Sequence, residues 1–185
     1  LILPHLNFLP LTLNKHFSFM ALIKSVRGHT PQFGNNCFLA DNCTVVGEVT
    51  MGDNCTVWFN AVVRGDVHSI TIGNNTNIQD GAIIHCTYQK AKTVIGSNVS
   101  IAHSAIVHGC TVEDNVLIGM GAIIMDDAVI GTGSVIAAGA VVLPSTKVEP
   151  NSIYAGTPAK RVKDVGPEMT EVIARTARNY PMYSE

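Results

Sequence analysis

Charge is scarce in this sequence: Asp, Glu, Lys and Arg make up 14% of its 185 residues, where ordinary globular chains carry about 25%. Aromatic residues reach only 6%, so the core cannot be built around large rings. The net charge is −2 and no basic run or stripe occurs, which excludes a nucleic-acid footprint. No apolar run approaches the roughly eighteen residues of a membrane-crossing helix. Five cysteines, an odd number without a C-x-x-C spacing, argue against a disulfide framework or a cysteine-type zinc site. They point to a reducing compartment, the cytoplasm.

What is present is Val, Ile and Ala in abundance, in a chain long enough for one domain. Residues 1–19 are apolar but hold two prolines, His5, His16 and Lys15, with no basic n-region and no initiating Met. They read as an added extension, with Met20 as the natural start. From Phe33 onward an apolar residue returns every six positions: Phe33, Leu39, Val45, Met51, Val57, Val63, and so on to Val148 and Tyr154. Four residues after nearly every anchor the side chain is small or β-branched, as at Cys37, Ala61, Ala82, Ala105 and Ala122. Gly, Asn and Asp gather between these columns, where turns need them. Four N-x-S/T matches, at Asn42, Asn54, Asn74 and Asn98, recur with the repeat and so read as turn chemistry, not glycosylation.

A helix has a period of 3.6 and a hairpin strand a period of two. A period of six means a short strand and a turn, repeated: a β-solenoid. Grouped in threes, the hexads give coils beginning at Phe33, Met51, Ile72, Ile95, Val112, Ile130 and Val148. The rhythm breaks three times, always after the third hexad. Val63 to Ile72 is nine residues, Ile84 to Ile95 is eleven, and Val107 to Val112 is five. One corner of the prism is therefore shaped by something besides coil packing. The solenoid is expected over residues 20–157. In residues 158–185, Pro167 opens an amphipathic helix through Met169, Val172, Ile173, Ala177 and Tyr180.

The residue after the third anchor is Arg64 in coil two, His85 in coil three and His108 in coil four, one column at the irregular corner. Adjacent coils lie about 4.8 Å apart, so two imidazole nitrogens from His85 and His108 can reach one ion at about 2.0–2.1 Å. His103 sits on the second side of its coil. Five extended residues span roughly 16 Å, so it meets such a pair more readily from a neighbouring chain in a threefold assembly. His68 reads as a surface residue. Cys37 and Cys55, in register one coil apart, read as packed thiols.

Three segments carry a family likeness: "RGD" at 64–66, "NIQDGAIIH" at 77–85 and "HSAIVHGC" at 103–110. In these the sequence resembles the gamma-class carbonic anhydrases of the hexapeptide-repeat superfamily. The resemblance implies an all-β solenoid, a left-handed parallel β-helix with a C-terminal α-helix, assembled as a homotrimer. It implies a lyase that hydrates carbon dioxide reversibly by a metal-bound hydroxide at three subunit interfaces. His85 and His108 are then metal ligands from one subunit and His103 from the next. Gln79 orients the bound solvent, and Arg64 and Asp66 form an interfacial ion pair. The family also uses a tyrosine near the C-terminus, for which Tyr180 in "RNYPMY" is the best candidate, with no motif to anchor it. Three imidazoles make Zn2+ the default, with Fe2+ or Co2+ also suited.

The sequence departs from that pattern where some members carry proton-shuttling glutamates. The insertion "CTYQKAK" at 86–92 has no acid and two lysines, and the turn after Arg64 continues "VHS". Two other readings follow from the repeat: an acyltransferase using coenzyme A, whose prism ends resemble "AGTPAKRV" at 155–162, or a metal-binding protein without turnover.

Overall fold

The computed structural model describes residues 20–184. Most hexads become strands of two or three residues followed by a turn, and equivalent strands of successive coils pair in parallel. On the second face Leu39, Val57, Ile78, Ile101, Ile118, Ile136 and Tyr154 lie in one unbroken register. The third-face column runs through Val45, Val63, Ile84, Val107, Ile124 and Val142. All of the counted anchors from Val57 to Val142 are buried, and the four central second-face isoleucines are fully so. Each such side chain contributes about 1.5–3 kcal/mol of hydrophobic stabilisation.

Turns repeat as faithfully as strands. Asn36, Asn54, Asn75, Asn98 and Asn115 stack at one corner with φ of +54 to +58°, the left-handed region asparagine tolerates. Their carboxamides bond from rung to rung at 3.1–3.3 Å. The other two sequon residues also serve turns: Asn42 donates to Asn60 at 3.0 Å, and Asn74 accepts from the Asp53 N–H at 2.8 Å.

The first and third faces join into one sheet because Thr44–Met51 and Val62–Ile72 run continuously round the corner between them. All three rhythm breaks lie at this corner. The nine-residue interval throws Asp66–Ser69 out of the ladder, since Gly47 pairs with Gly65 but Val49 with Ile70. In the eleven-residue interval Thr87 and Ala91 bridge antiparallel and close a small loop. In the five-residue interval the chain turns tightly through Gly109 at φ +56°.

Two elements escape the hexad count. Leu22–Lys24 adds a third-face strand below the first coil, and Lys160–Asp164 turns back antiparallel on Ser152–Ala155. The first lies before the repeat's turn pattern begins, and the second follows a reversal at Gly156. The expected helix forms over Pro167–Tyr183, burying Ile173 and Ala177 and setting Tyr180 edge-on against Trp58 at 5.4 Å. Among the described residues no helix is long and apolar enough to cross a membrane. The expected extension, 1–19, lies outside the described residues.

All five cysteines are free thiols. Burial pushes Cys43 up to about 11 and Cys55 and Cys110 up to about 12, and raises Cys86 as well. Cys55 donates into the Gly73 carbonyl at 3.0 Å, as a packed thiol does. A thiol reagent on the native protein should label Cys37, the half-buried one, and reach the other four only on unfolding; mass spectrometry of time points reads this directly. Ile101→Ala, emptying the centre of the second-face column, should cost about 2–5 kcal/mol by chemical denaturation.

Candidate metal centre

Parallel pairing of Ile83–His85 with Ile106–His108 places His85 opposite His108. Their rings meet edge to face with centroids 5.0 Å apart, and His85 Nδ1 lies 3.0 Å from His108 Nε2. The outer nitrogens are both occupied. His85 Nε2 is 3.1 Å from Asp66 Oδ1, and His108 Nδ1 is 2.6 Å from Asp126 Oδ1. Behind each aspartate stands a donor: Arg64 reaches Asp66 Oδ2 at 2.8 Å, and the Thr87 hydroxyl donates to Asp126 Oδ2 at 2.5 Å. Thr93 ties the loop beneath, donating to the His85 carbonyl at 2.5 Å and accepting from the Gly109 N–H at 2.9 Å.

Electrostatics follow the contacts. Burial pushes the His85 imidazole below its ordinary value, against the pull of Asp66, so at neutral pH it is a lone-pair donor. Burial alone would raise the Asp66 carboxyl, but hydrogen bonds from Arg64 and His85 outweigh it and hold it below the usual range. Asp126 behaves likewise, with Thr87 and His108 as its donors.

These residues fit a metal. When each imidazole gives its outer N–H to an aspartate, both inner nitrogens are left with lone pairs 3.0 Å apart. A cation bound to both nitrogens removes that repulsion, and a carboxylate on the far nitrogen is the usual support of a ligating histidine.

His103 is elsewhere. It lies on the second face, two residues past its anchor, directly above Asp80, whose Oδ2 is 2.9 Å from its Nδ1. Gln79 is beside them, almost fully buried, donating to Asn77 Oδ1 at 3.0 Å while Asn77 donates to Ser100 at 2.8 Å. Tyr180 borders the same group: burial, the Asp80 charge and Tyr183 together raise its phenol. One chain thus carries two clusters, with Arg64, Asp66, His85 and His108 at the irregular corner and Gln79, His103 and Tyr180 on the second face. Among the described residues, no three potential ligands gather at one point.

Sequence reasoning missed three carboxylates. Asp80 stands inside the quoted "NIQDGAIIH" at the same hexad offset as His103, so register could have found it. Asp126 belongs to the next coil, outside any motif, and only its offset after Ile124 hints at the corner. Glu48 shares a cleft of about 130 Å3 with Arg27, His29, Asp66, His68 and Tyr88. That cleft borders the corner with a glutamate, where the 86–92 insertion has no acid. A larger cleft, about 480 Å3, opens beside His108 between Ile106, Ile123, Met125 and Lys90.

Comparison with known proteins sets this geometry in context. The family model "Bacterial transferase hexapeptide (six repeats)" matches residues 30–65 and 109–144. A "Probable carbonic anhydrase" of Methanocaldococcus jannaschii is 44% identical over 81% of this chain and 94% of its own. A "Carbonic anhydrase" of Geobacillus kaustophilus is 40% identical over 86% and 87%. "Gamma carbonic anhydrase 2, mitochondrial" of Arabidopsis thaliana is 34% identical over 91% of this chain, which spans only 62% of that longer protein. Among solved structures, a hexapeptide transferase family protein from Anaplasma phagocytophilum has a TM-score of 0.84 at 37% identity, covering 88% of this chain and 96% of that one. A putative acetyltransferase from Bacillus cereus has a TM-score of 0.85 at 34% identity, covering 89% and 95%. The solenoid is the left-handed hexapeptide-repeat β-helix.

The packing at Gly109 makes a direct test of the corner. An added Cβ there would stand 2.5 Å from Asp126 Oδ1 and 2.9 Å from the Ala91 Cβ, on a backbone at φ +56°. Gly109→Ala should therefore destabilise the metal-free protein by about 1–3 kcal/mol, read by chemical denaturation.

Proposed function

The chain belongs to the gamma carbonic anhydrase family, and from that premise we propose that it is a metal-dependent lyase hydrating carbon dioxide reversibly at interfaces of a homotrimer. The observation that carries this reading is the facing pair His85 Nδ1 and His108 Nε2, 3.0 Å apart with an aspartate behind each ring. His103, supported by Asp80, completes the set from the neighbouring chain. Zn2+ is the first choice for three imidazoles, with Fe2+ and Co2+ next. When bound, the metal supplies the Lewis acidity that makes water a nucleophile at neutral pH.

The chain's own residues do the rest. Asp66 and Asp126 accept hydrogen bonds from the outer imidazole N–H groups and hold the rings; Arg64 fixes Asp66. Gln79 and Tyr180 arrive with His103, so polar groups of one copy face the histidine pair of the next. Ile106, Ile123 and Met125 line an apolar approach to His108 that suits carbon dioxide, a small molecule without charge. Acyl transfer from coenzyme A would use one interfacial histidine as base and leave this facing pair without a role. The free thiols fit a reducing compartment such as the cytoplasm.

Stopped-flow hydration assays on zinc-, iron- and cobalt-loaded protein should show metal-dependent turnover that chelation abolishes and His108→Ala reduces to background. A fully metallated trimer without turnover would favour the binding-only alternative, and saturable coenzyme A binding the transferase. Shared sites make a sharper prediction. His103→Ala and His108→Ala chains, each inactive alone, should regain about a quarter of wild-type activity when unfolded together in equal amounts and reassembled, because one interface in each mixed threefold ring is intact. Sites built within single chains would regain nothing.

A further inference from the structure

The eleven-residue interval after Ile84 is an insertion without an acid, yet its first threonine is engaged by one. Thr87 Oγ1 donates to Asp126 Oδ2 at 2.5 Å, and the loop that carries it is closed by paired bonds between Thr87 and Ala91. The other oxygen of Asp126 reaches His108 Nδ1 at 2.6 Å. Asp126 is held in turn by the chain around it: Asp127 donates its N–H to the Gly109 carbonyl at 2.7 Å. The path of its carboxylate passes through the space a Cβ of residue 109 would fill. Three separate features, the inserted loop, the glycine turn and an aspartate from the next coil, converge on one ring nitrogen.

An imidazole can ligate through Nε2 only when its proton sits on Nδ1, and the group accepting that proton sets both tautomer and ring orientation. We propose that Asp126 is a positioning residue of the metal centre, holding His108 as an Nε2 ligand, and that the 86–92 insertion serves to brace it through Thr87. The proposal rests on the metal-site reading above.

Cobalt(II) titration of the purified full-length protein, followed by visible absorption and by competition with a chelator, tests it apart from activity. Asp126→Ala should weaken cobalt affinity about 10–100-fold and alter the ligand-field spectrum, while the metal-free protein melts near the wild-type temperature. Asp126→Asn, which keeps the shape and loses the charge, should weaken affinity less, and it carries the test should Asp126→Ala fail to fold. Thr87→Val should lie between wild type and Asp126→Ala, and Thr87→Ser should restore wild-type affinity. Wild-type affinity and spectrum in every foldable Asp126 variant would overturn the assignment while leaving the metal centre intact. A folded wild-type protein that takes up no cobalt would overturn the metal reading and this proposal together.

Discussion

Parallel pairing between successive coils governs this molecule. Each coil lies on the last with its anchors in register, so two residues at the same offset in neighbouring coils stand face to face whatever their distance in sequence. His85 and His108, twenty-three residues apart, meet for this reason. Asp80 and His103 meet for the same reason on another face. The buried isoleucine columns resist slippage, because a one-residue shift in a strand would turn every anchor outward.

A strictly regular solenoid would present only repeated turns at its corners. The three broken intervals make one corner the candidate site. A bulge brings Asp66 out of the ladder toward His85, an inserted loop presents Thr87, and a shortened turn through Gly109 lets Asp126 reach down from the coil above. Ladder pairing resumes immediately on either side, so these irregularities disturb little of the core. Each histidine of the trio has an aspartate at one ring nitrogen, which leaves the other available as a donor.

A solenoid also separates its faces rigidly. Gln79, His103 and Tyr180 occupy the second face while the histidine pair occupies the corner beyond the third, and a packed prism cannot fold one onto the other. In the proposed trimer that separation becomes useful: a single chain presents complementary halves of a site, and closed rotational symmetry joins them three times.

Much of this was legible in the residues. The period of six, the coil boundaries, the stacking of His85 on His108, the corner where the rhythm breaks and the C-terminal helix all follow from spacing, because a solenoid repeats one local geometry and local geometry is what spacing encodes. The likeness of three short motifs to the gamma carbonic anhydrases carried the chemistry. Tertiary structure alone decided which atoms meet: that His85 Nδ1 faces His108 Nε2, that Asp126 and not the inserted loop supplies the acid beside His108, that Gln79 bonds to Asn77, and that Glu48 shares a cleft with Asp66. Those choices depend on how a bulge, a loop and a tight turn lean against the coils above and below. That is a matter of contacts between residues distant in sequence, and no periodicity within it records them.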